Sequence, residues 1–472
     1  MAHAPFLHLT PAESPPADSE SGALATLSYA ALEARATELC ARLGDVAVAV
    51  LGAPACVNRG DTLALVWAAV HGRLRCAWLP PGGEFSDRAL DLLRPDCVVF
   101  AEGAAQEATA DRGQQDQTAV VAGEPRNSGV YGARGYGRAE PFAPGLLLAR
   151  APSGQAAPPW PDRLVALSSG VGGAPAPVSA GADLSRHPLA DTHSPLIMAG
   201  LDWWPALRAC VNALAARRPL WLGLAAAELM PAHAAVIRHA LGVCDASLWT
   251  PASLARALKY LAAIDKSPEA PDAESPAAVH ATHRAVVSGA PWRGELATRW
   301  RLLAPQRQLL NWYATREGES LLCPAVDGAP ALFDVENRAA LRLAPDDWIS
   351  GGPADRVLVR GRVGAGSERD GVRVCWAEAA AVLAEHPDVA SAWVFERPLQ
   401  DAEDVVGARA LIGSIVLLPG IEPTPLLEVR VMDFCSARLA RVKCPDWLEI
   451  VPAHLQLPGD KLPLSERRAS EC

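Results

Sequence analysis

One stretch of the sequence has residue types and spacing that suggest chemistry when read alone. The apolar run Leu164 to Leu167 leads directly into Ser168-Ser169-Gly170-Val171-Gly172-Gly173-Ala174-Pro175. Glycines allow positive φ, which turns successive backbone N–H groups into one concavity, and serine hydroxyls add further donors; such a nest suits a phosphate. No G-K-[ST] follows, so it is not a Walker loop, and by itself it is equally a plain turn after a strand. Other reactive side chains are unremarkable in isolation. Glu317 reads as a solvated carboxylate, Lys461 as a solvated lysine near the end of the sequence, and Asp355 as a loop carboxylate.

Around these residues the apolar periodicity predicts the elements that must position them. Ser28 to Leu43 places Leu32, Ala36, Leu39 and Leu43 on one helical face. Val46 to Leu51, Thr62 to Val70 and Cys97 to Phe100 read as strand, helix and strand, the alternation of a doubly wound, mostly parallel sheet. From Ala101 to about Pro161 the pattern fades, and an irregular connection is expected. Helical segments follow at Pro205 to Ala216 and Ala234 to Leu241, with strands at Ala285 to Val287 and at Gln308 to Leu310, the latter ending at Asn311-Trp312-Tyr313. Past Asp355 come a strand at Val357 to Val359, a helix at Trp376 to Glu385, and strands near Ala392 to Phe395 and Ala410 to Leu417. The expected fold is therefore α/β, with a large N-terminal domain (1–361) of mixed, mostly parallel sheets flanked by helices. A small α+β C-terminal lid domain (362–472) completes it.

Composition narrows the function classes. The 472 residues are 50% apolar and 20% charged, which excludes a disordered chain and accommodates more than one core. Lysine and arginine total 43 against 53 acidic residues, a net charge of −10, so binding driven by nucleic-acid phosphates is not expected. Eleven cysteines lack any C-x-x-C pair, which argues against a disulfide framework or structural zinc and for a reducing compartment. The most apolar stretch, Leu196 to Met230, is broken by Asp202, Arg208, Arg217 and Arg218, so no membrane span is expected; neither is a secretory signal, and the location expected is cytoplasmic.

Four stretches together resemble the adenylate-forming superfamily of acyl-CoA synthetases and adenylation domains. Its phosphate loop reads T-S-G-T-T-G-x-P-K-G; Ser169, Gly170, Gly173 and Pro175 fit, while Ala176 and Pro177 replace the lysine and the last glycine. The N-x-Y-G-x-T-E motif is matched by Asn311, Tyr313 and Glu317, with Arg316 at the threonine position. The junction motif G-R-x-D-x-Q-x-K-x-R-G-x-R-I-x-x-x-E, followed by H-P-x-V, is matched without a gap by Gly361, Arg362, Gly371, Arg373, Val374, Glu378 and His386-Pro387-Asp388-Val389. Gly364 stands at its hinge acid, and Ser350-Gly351-Gly352 stands where the family has T-G-D. Leu457-Pro458-Gly459-Asp460-Lys461-Leu462 resembles T-P-x-G-K-[IV].

The resemblance implies ATP bound by Ser168, Ser169, Gly170, Gly172 and Gly173, with Asn311 and Tyr313 at the adenine. It implies Asp355 (in a shifted register) and Arg362 at the ribose, and Mg²⁺ held by Glu317. Lys461 would be the catalytic lysine, bridging the carboxylate and the α-phosphate, and Arg316 would supply charge that Ala176 no longer does. Arg373 and Glu378 are expected to form a surface ion pair. The implied reaction is activation of a carboxylic acid as acyl-AMP, with transfer to the thiol of CoA or of a carrier protein's phosphopantetheine arm, the small domain rotating about 362–366 between steps. Met198, Trp203 and Trp204 favour an apolar, aryl or fatty acid; Asp202 could instead pair an amino group. Two other readings stay open: a non-catalytic descendant that binds nucleotide or a carrier protein, and an unrelated nucleotide-binding α/β protein using the Ser/Gly loop alone.

Overall fold

The computed structural model describes residues 6–10, 24–44, 46–51, 60–79, 89–101, 136, 140–143, 146–151, 160, 162–167, 177–179, 187–201, 203–224, 226, 229–264, 279–289, 294–305, 307–314, 320–324, 332–334, 347–351, 356–362, 366–369, 372–398, 409–418 and 420–451. The chain divides into two compact units, Met1–Ser185 with Gly200–Leu220, and Arg186–Ala199 with Trp221–Cys472.

In the first unit, β1 (Phe6–Thr10) and β2 (Leu24–Ser28) pair in parallel. Ser28 then caps helix α1 (Tyr29–Leu43), its hydroxyl accepting from the Ala31 amide. Tyr29, Leu32, Ala36, Leu39 and Leu43 of this helix are buried, as the spacing predicts. Gly44, at φ +80°, ends it in a conformation that favours glycine. Arg35 on its outer side reaches Asp61 at 2.6 Å, on helix α2 (Gly60–Val70).

A seven-stranded sheet follows. It contains β3 (Ala47–Leu51), β4 (Arg75–Leu79), β5 (Cys97–Ala101), β6 (Glu140–Ala143), β7 (Leu146–Arg150), β8 (Leu164–Leu167) and β9 (Pro177–Ser179), in the order β6-β7-β5-β3-β4-β8-β9. The four central strands are parallel and β6, β7 and β9 antiparallel. Residues 47–50, 76–79 and 97–100 are buried without alternation, as strands covered on both faces require. Both outermost strands carry a proline, Pro141 in β6 and Pro177 in β9, in the edge position where a missing N–H is tolerated. The irregular connection expected over 101–161 is corrected here: β6 and β7 lie within it, Tyr136 is buried with its hydroxyl on the Pro95 carbonyl, and Trp160 donates to the Leu93 carbonyl at 2.9 Å. Those strands are short and flanked by Pro and Gly, so their period was too brief to register. Helix α3 (Trp204–Ala215) completes the described elements of this unit, with Pro205 in its first turn.

Six strands of the second unit run β11-β10-β12-β13-β14-β15: β10 (Pro195–Met198), β11 (Leu220–Leu222), β12 (Ala246–Trp249), β13 (Arg284–Ser288), β14 (Gln308–Ala314) and β15 (Ser320–Pro324). All are parallel except β15. Helices α4 (Ala234–Val243), α5 (Pro251–Ile264) and α6 (Gly294–Leu303) belong to this layer. Next come β16 (Leu332–Asp334), β17 (Asp347–Gly351) and β18 (Arg356–Arg362), then the hairpin β19 (Gly366–Arg369) and β20 (Val372–Cys375).

The C-terminal segment contains helix α7 (Trp376–Ala384), β21 (Val389–Pro398), β22 (Arg409–Leu417), helix α8 (Pro425–Ser436) and β23 (Trp447–Ile450). Alternation along β22 splits its side chains. Leu411 and Ile415 pack with Val382, Leu383, Leu427 and Val431 of the two helices, whereas Ala410, Ile412 and Val416 meet Trp393 and Phe395. Gly413 lies in register between Val394 and Leu448. A Cβ there would stand 2.7 Å from Leu448 Cδ2, 3.0 Å from Leu383 Cδ1 and 3.1 Å from Pro445 Cγ. Gly413→Ala is therefore expected to destabilise the protein by about 1–3 kcal/mol through overpacking, read as a lower urea midpoint at unchanged slope.

Candidate functional site

The parallel strands of the second unit have two unlike ends. At the amino ends, polar groups pin the strands together. Asp245, just before β12, accepts the amides of His193 and Ser194 at 2.7 and 2.8 Å. His283 Nδ1 lies 2.7 Å from the Cys244 carbonyl, and its Nε2 lies 2.8 Å from Ser247 Oγ, which in turn takes the Trp249 indole N–H at 2.6 Å. A carbonyl only accepts, so Nδ1 carries the proton, Nε2 accepts from Ser247, and every member is satisfied. The Ser247–His283 pair has the form of an activated nucleophile, but Ser247 is 0% exposed and its hydroxyl is committed at both ends, so it serves structure. Burial pushes the His283 pKa down to about 4.

The carboxyl ends are where open α/β sheets bind ligands. Register aligns Met198, Trp249, Val287, Asn311 and Cys323 across five strands. Asn311 thus stands level with the final residues of β10 and β12 and one residue before the end of β13, its side chain buried, and Tyr313 continues the strand beyond them. The strand expected to end at Leu310 in fact runs to Ala314, because β15 returns antiparallel and supplies partners as far as Ser320. The Asn-x-Tyr stretch is therefore held in a sheet. Beside it, Ser288 ends β13 in register with Trp312, and Gly289 follows at φ +106°. Trp312 packs edge-on against the buried His187 ring, centroids 4.7 Å apart.

The Ser/Gly loop belongs to the first unit. Its flanking strands are β8 and β9, and Leu167 and Pro177 face each other in antiparallel register, so the positions on either side of 168–176 are fixed. Arg362 is the last residue of β18, opposite Asp347. Ser168, Ser169, Gly170, Gly172, Gly173, Arg316, Glu317, Asp355 and Lys461 lie outside the described residues, as does Asp202. Among the acyl-pocket candidates, Met198 is fully buried and Trp203 nearly so, both as core, while Trp204 stacks under the Arg208 guanidinium at 5.7 Å. Glu378 forms an ion pair with Lys443 through both carboxylate oxygens, at 2.9 and 2.8 Å, while the Arg373 side chain lies outside the described residues. Lys443 follows a turn 65 residues downstream, beyond any local spacing rule.

Among the described residues no group of three or more His, Cys, Asp and Glu is placed to hold a metal ion, and no helix is long and apolar enough to cross a membrane. Seven of the eight described cysteines are buried, and burial raises the thiols of Cys97, Cys244 and Cys435 to about 12. They act as small apolar residues.

Comparison with known proteins agrees with this architecture. Residues 378–458 match the AMP-binding enzyme C-terminal domain. No curated relative matches the chain in sequence. Among solved structures, the anthranilate CoA ligase AuaEII in complex with anthranoyl-AMP superposes with a TM-score of 0.52 at 15% identity, over 93% of this chain and 92% of that one. A benzoate CoA ligase from Burkholderia xenovorans gives 0.51 at 16% identity, over 94% of each chain. A variant of E. coli MenE with bound OSB-AMS gives 0.51 at 18%, over 94% and 92%. The chain thus shares the fold of these ligases over nearly its whole length, and its C-terminal segment matches the AMP-binding enzyme C-terminal domain.

Proposed function

We propose that the protein activates a carboxylic acid with ATP and transfers the acyl group to a thiol. The observation that carries this reading is the AMP-binding C-terminal domain at 378–458 in a chain whose fold is that of acid ligases over nearly its whole length. In the first step a carboxylate oxygen attacks the α-phosphorus, the bond to the β-phosphate bridging oxygen breaks, and pyrophosphate leaves. In the second a thiol sulfur attacks the acyl carbon, its proton is lost, and AMP departs. The acceptor thiol is that of CoA or a carrier protein's phosphopantetheine. The acid is apolar, aryl or fatty.

Residues take the roles their motif positions give them. Ser168, Ser169, Gly170, Gly172 and Gly173 hold the phosphates, Asn311 and Tyr313 the adenine end, and Asp355 and Arg362 the ribose. Glu317 would hold Mg²⁺, which when bound neutralises charge on the transferring phosphate. The buried amide of Asn311 at the carboxyl edge fits a nucleotide; among the described residues no carboxylate cluster is placed to hold a metal, and the motif position gives that role to Glu317. Lys461 and Arg316 supply positive charge to the reacting centre, with residues 362–472 turning about 362–366. Buried thiols fit a reducing compartment, and we place the protein in the cytoplasm.

Ala176, Arg316, Gly352 and Gly364 favour a second reading, a non-catalytic homologue that binds nucleotide or a carrier protein. Acid-dependent exchange of labelled pyrophosphate into ATP, run over a panel of aryl and fatty acids, separates the two. Exchange with at least one acid is expected. Nucleotide binding without exchange across the panel would leave the second reading.

A further inference from the structure

The C-terminal domain is fastened to helix α5 through its main chain. Arg256, 6% exposed, donates to the Ala226 carbonyl in its own layer and, at 3.1 Å, to the Val389 carbonyl at the start of β21. One turn on, Lys259 Nζ donates to the Pro387 carbonyl at 2.7 Å. Two cations spaced three residues apart on one helix therefore grip two carbonyls two residues apart in the turn His386-Pro387-Asp388-Val389. The cavity between these elements holds about 30 Å³, room for little more than water, so the contact is close.

The turn keeps its shape through His386. Its Nδ1 accepts the Asp388 amide at 3.2 Å, its carbonyl accepts the Val389 amide at 3.1 Å, and the Asp388 carbonyl takes the Leu418 amide at 2.9 Å. Because Nδ1 accepts, the neutral ring carries its proton on Nε2, and protonation must occur at Nδ1. That would set an N–H against the Asp388 N–H and undo the turn that presents both carbonyls. The surroundings also resist a new positive charge. Lys259 faces the ring from α5, Arg430 and Arg438 from α8 and its end, and among the described residues Asp388 offsets them, itself engaged by Arg430 at 3.2 Å. Arg256, Arg299 and Glu385 line the same cavity. The ring edge rests on Phe434, whose face is covered by the Arg438 guanidinium at 3.5 Å. Burial, aided by these cations, holds His386 below the usual histidine range, and burial likewise lowers Lys259.

We propose that Arg256 and Lys259 form a clasp holding the C-terminal domain to helix α5 by the carbonyls of Val389 and Pro387, and that protonation of His386 opens it. The clasp concerns how the domain is attached, not what it closes over, so it stands apart from the ligase reading. Backbone hydrogen exchange on the full chain tests it, comparing residues 384–390 with the buried strand 410–417. Near pH 7.5, Arg256→Met combined with Lys259→Met is expected to speed exchange in 384–390 by about tenfold or more while 410–417 keeps its protection. After correction for the chemical exchange rate, lowering the pH to about 5 raises exchange in 384–390 of the wild type well beyond any rise in 410–417. His386→Asn keeps an acceptor for the Asp388 amide but cannot protonate, and it should show no acid-induced rise. Equal protection in wild type and double variant, an equal rise in both segments, or acid opening that survives His386→Asn would each overturn the proposal.

Discussion

Acidification from about pH 7.5 to about pH 5 should cost the folded protein about 2 kcal/mol through His283 alone, rising to about 3 kcal/mol near pH 4. His283 titrates at about 4 in the fold against an ordinary 6.5, so between those values the unfolded chain binds a proton that the folded chain refuses. Its contribution is therefore complete above pH 6.5 and is lost as the pH falls toward 4. The cause is burial, which penalises the charged ring; within the closed network at the amino ends of β12 and β13 a proton on Nε2 would in addition face the Ser247 hydroxyl. Urea titrations of wild type and His283→Gln at the two pH values provide the measurement. The amide can still bridge the Cys244 carbonyl and Ser247 but does not titrate, so the variant should be weaker near pH 7.5 and depend on pH less steeply, by about 2 kcal/mol. Parallel pH profiles for the two proteins would show that His283 is not the source.

Replacing Lys461 with alanine should reduce acyl-adenylate formation by about 10²–10³-fold, with a much smaller effect on nucleotide affinity. The attacking carboxylate and the α-phosphate are both anionic, and an ammonium between them stabilises charge that converges only in the transition state. A loss confined to kcat of pyrophosphate exchange is the expected pattern. Full exchange activity in Lys461→Ala would remove this residue from the chemistry and, with it, the role assigned to the C-terminal motif.

Much of the fold was legible because its signals are local. Ser28 before an apolar i, i+3, i+4 series gave α1 its start and its buried face, and Leu164 to Leu167 gave β8 its bounds. Buried runs such as Cys97 to Phe100 read as strands because both faces are covered. What escaped were contacts set by tertiary packing. Nothing in the spacing of Arg256 and Lys259 announces a carbonyl more than 120 residues away. Ser247 and His283 are ordinary residues in sequence, related only by the pairing of β12 with β13. Asn311 and Tyr313 were singled out by motif, while the extension of β14 through them depends on β15, whose return lies in the next segment.

The prolines at the two rims of the first sheet have a consequence for how this chain has been able to diverge. Pro177 stands where the related loop has glycine, at the outermost strand, where its nitrogen owes a hydrogen bond to no neighbour. The register of β8 with β9 is fixed by Leu167 opposite Pro177, so exchanges between those anchors leave the paired strands undisturbed. Divergence between the two anchors is thereby uncoupled from the pairing of β8 with β9: natural selection can rewrite that segment while the strands on either side of it keep their register.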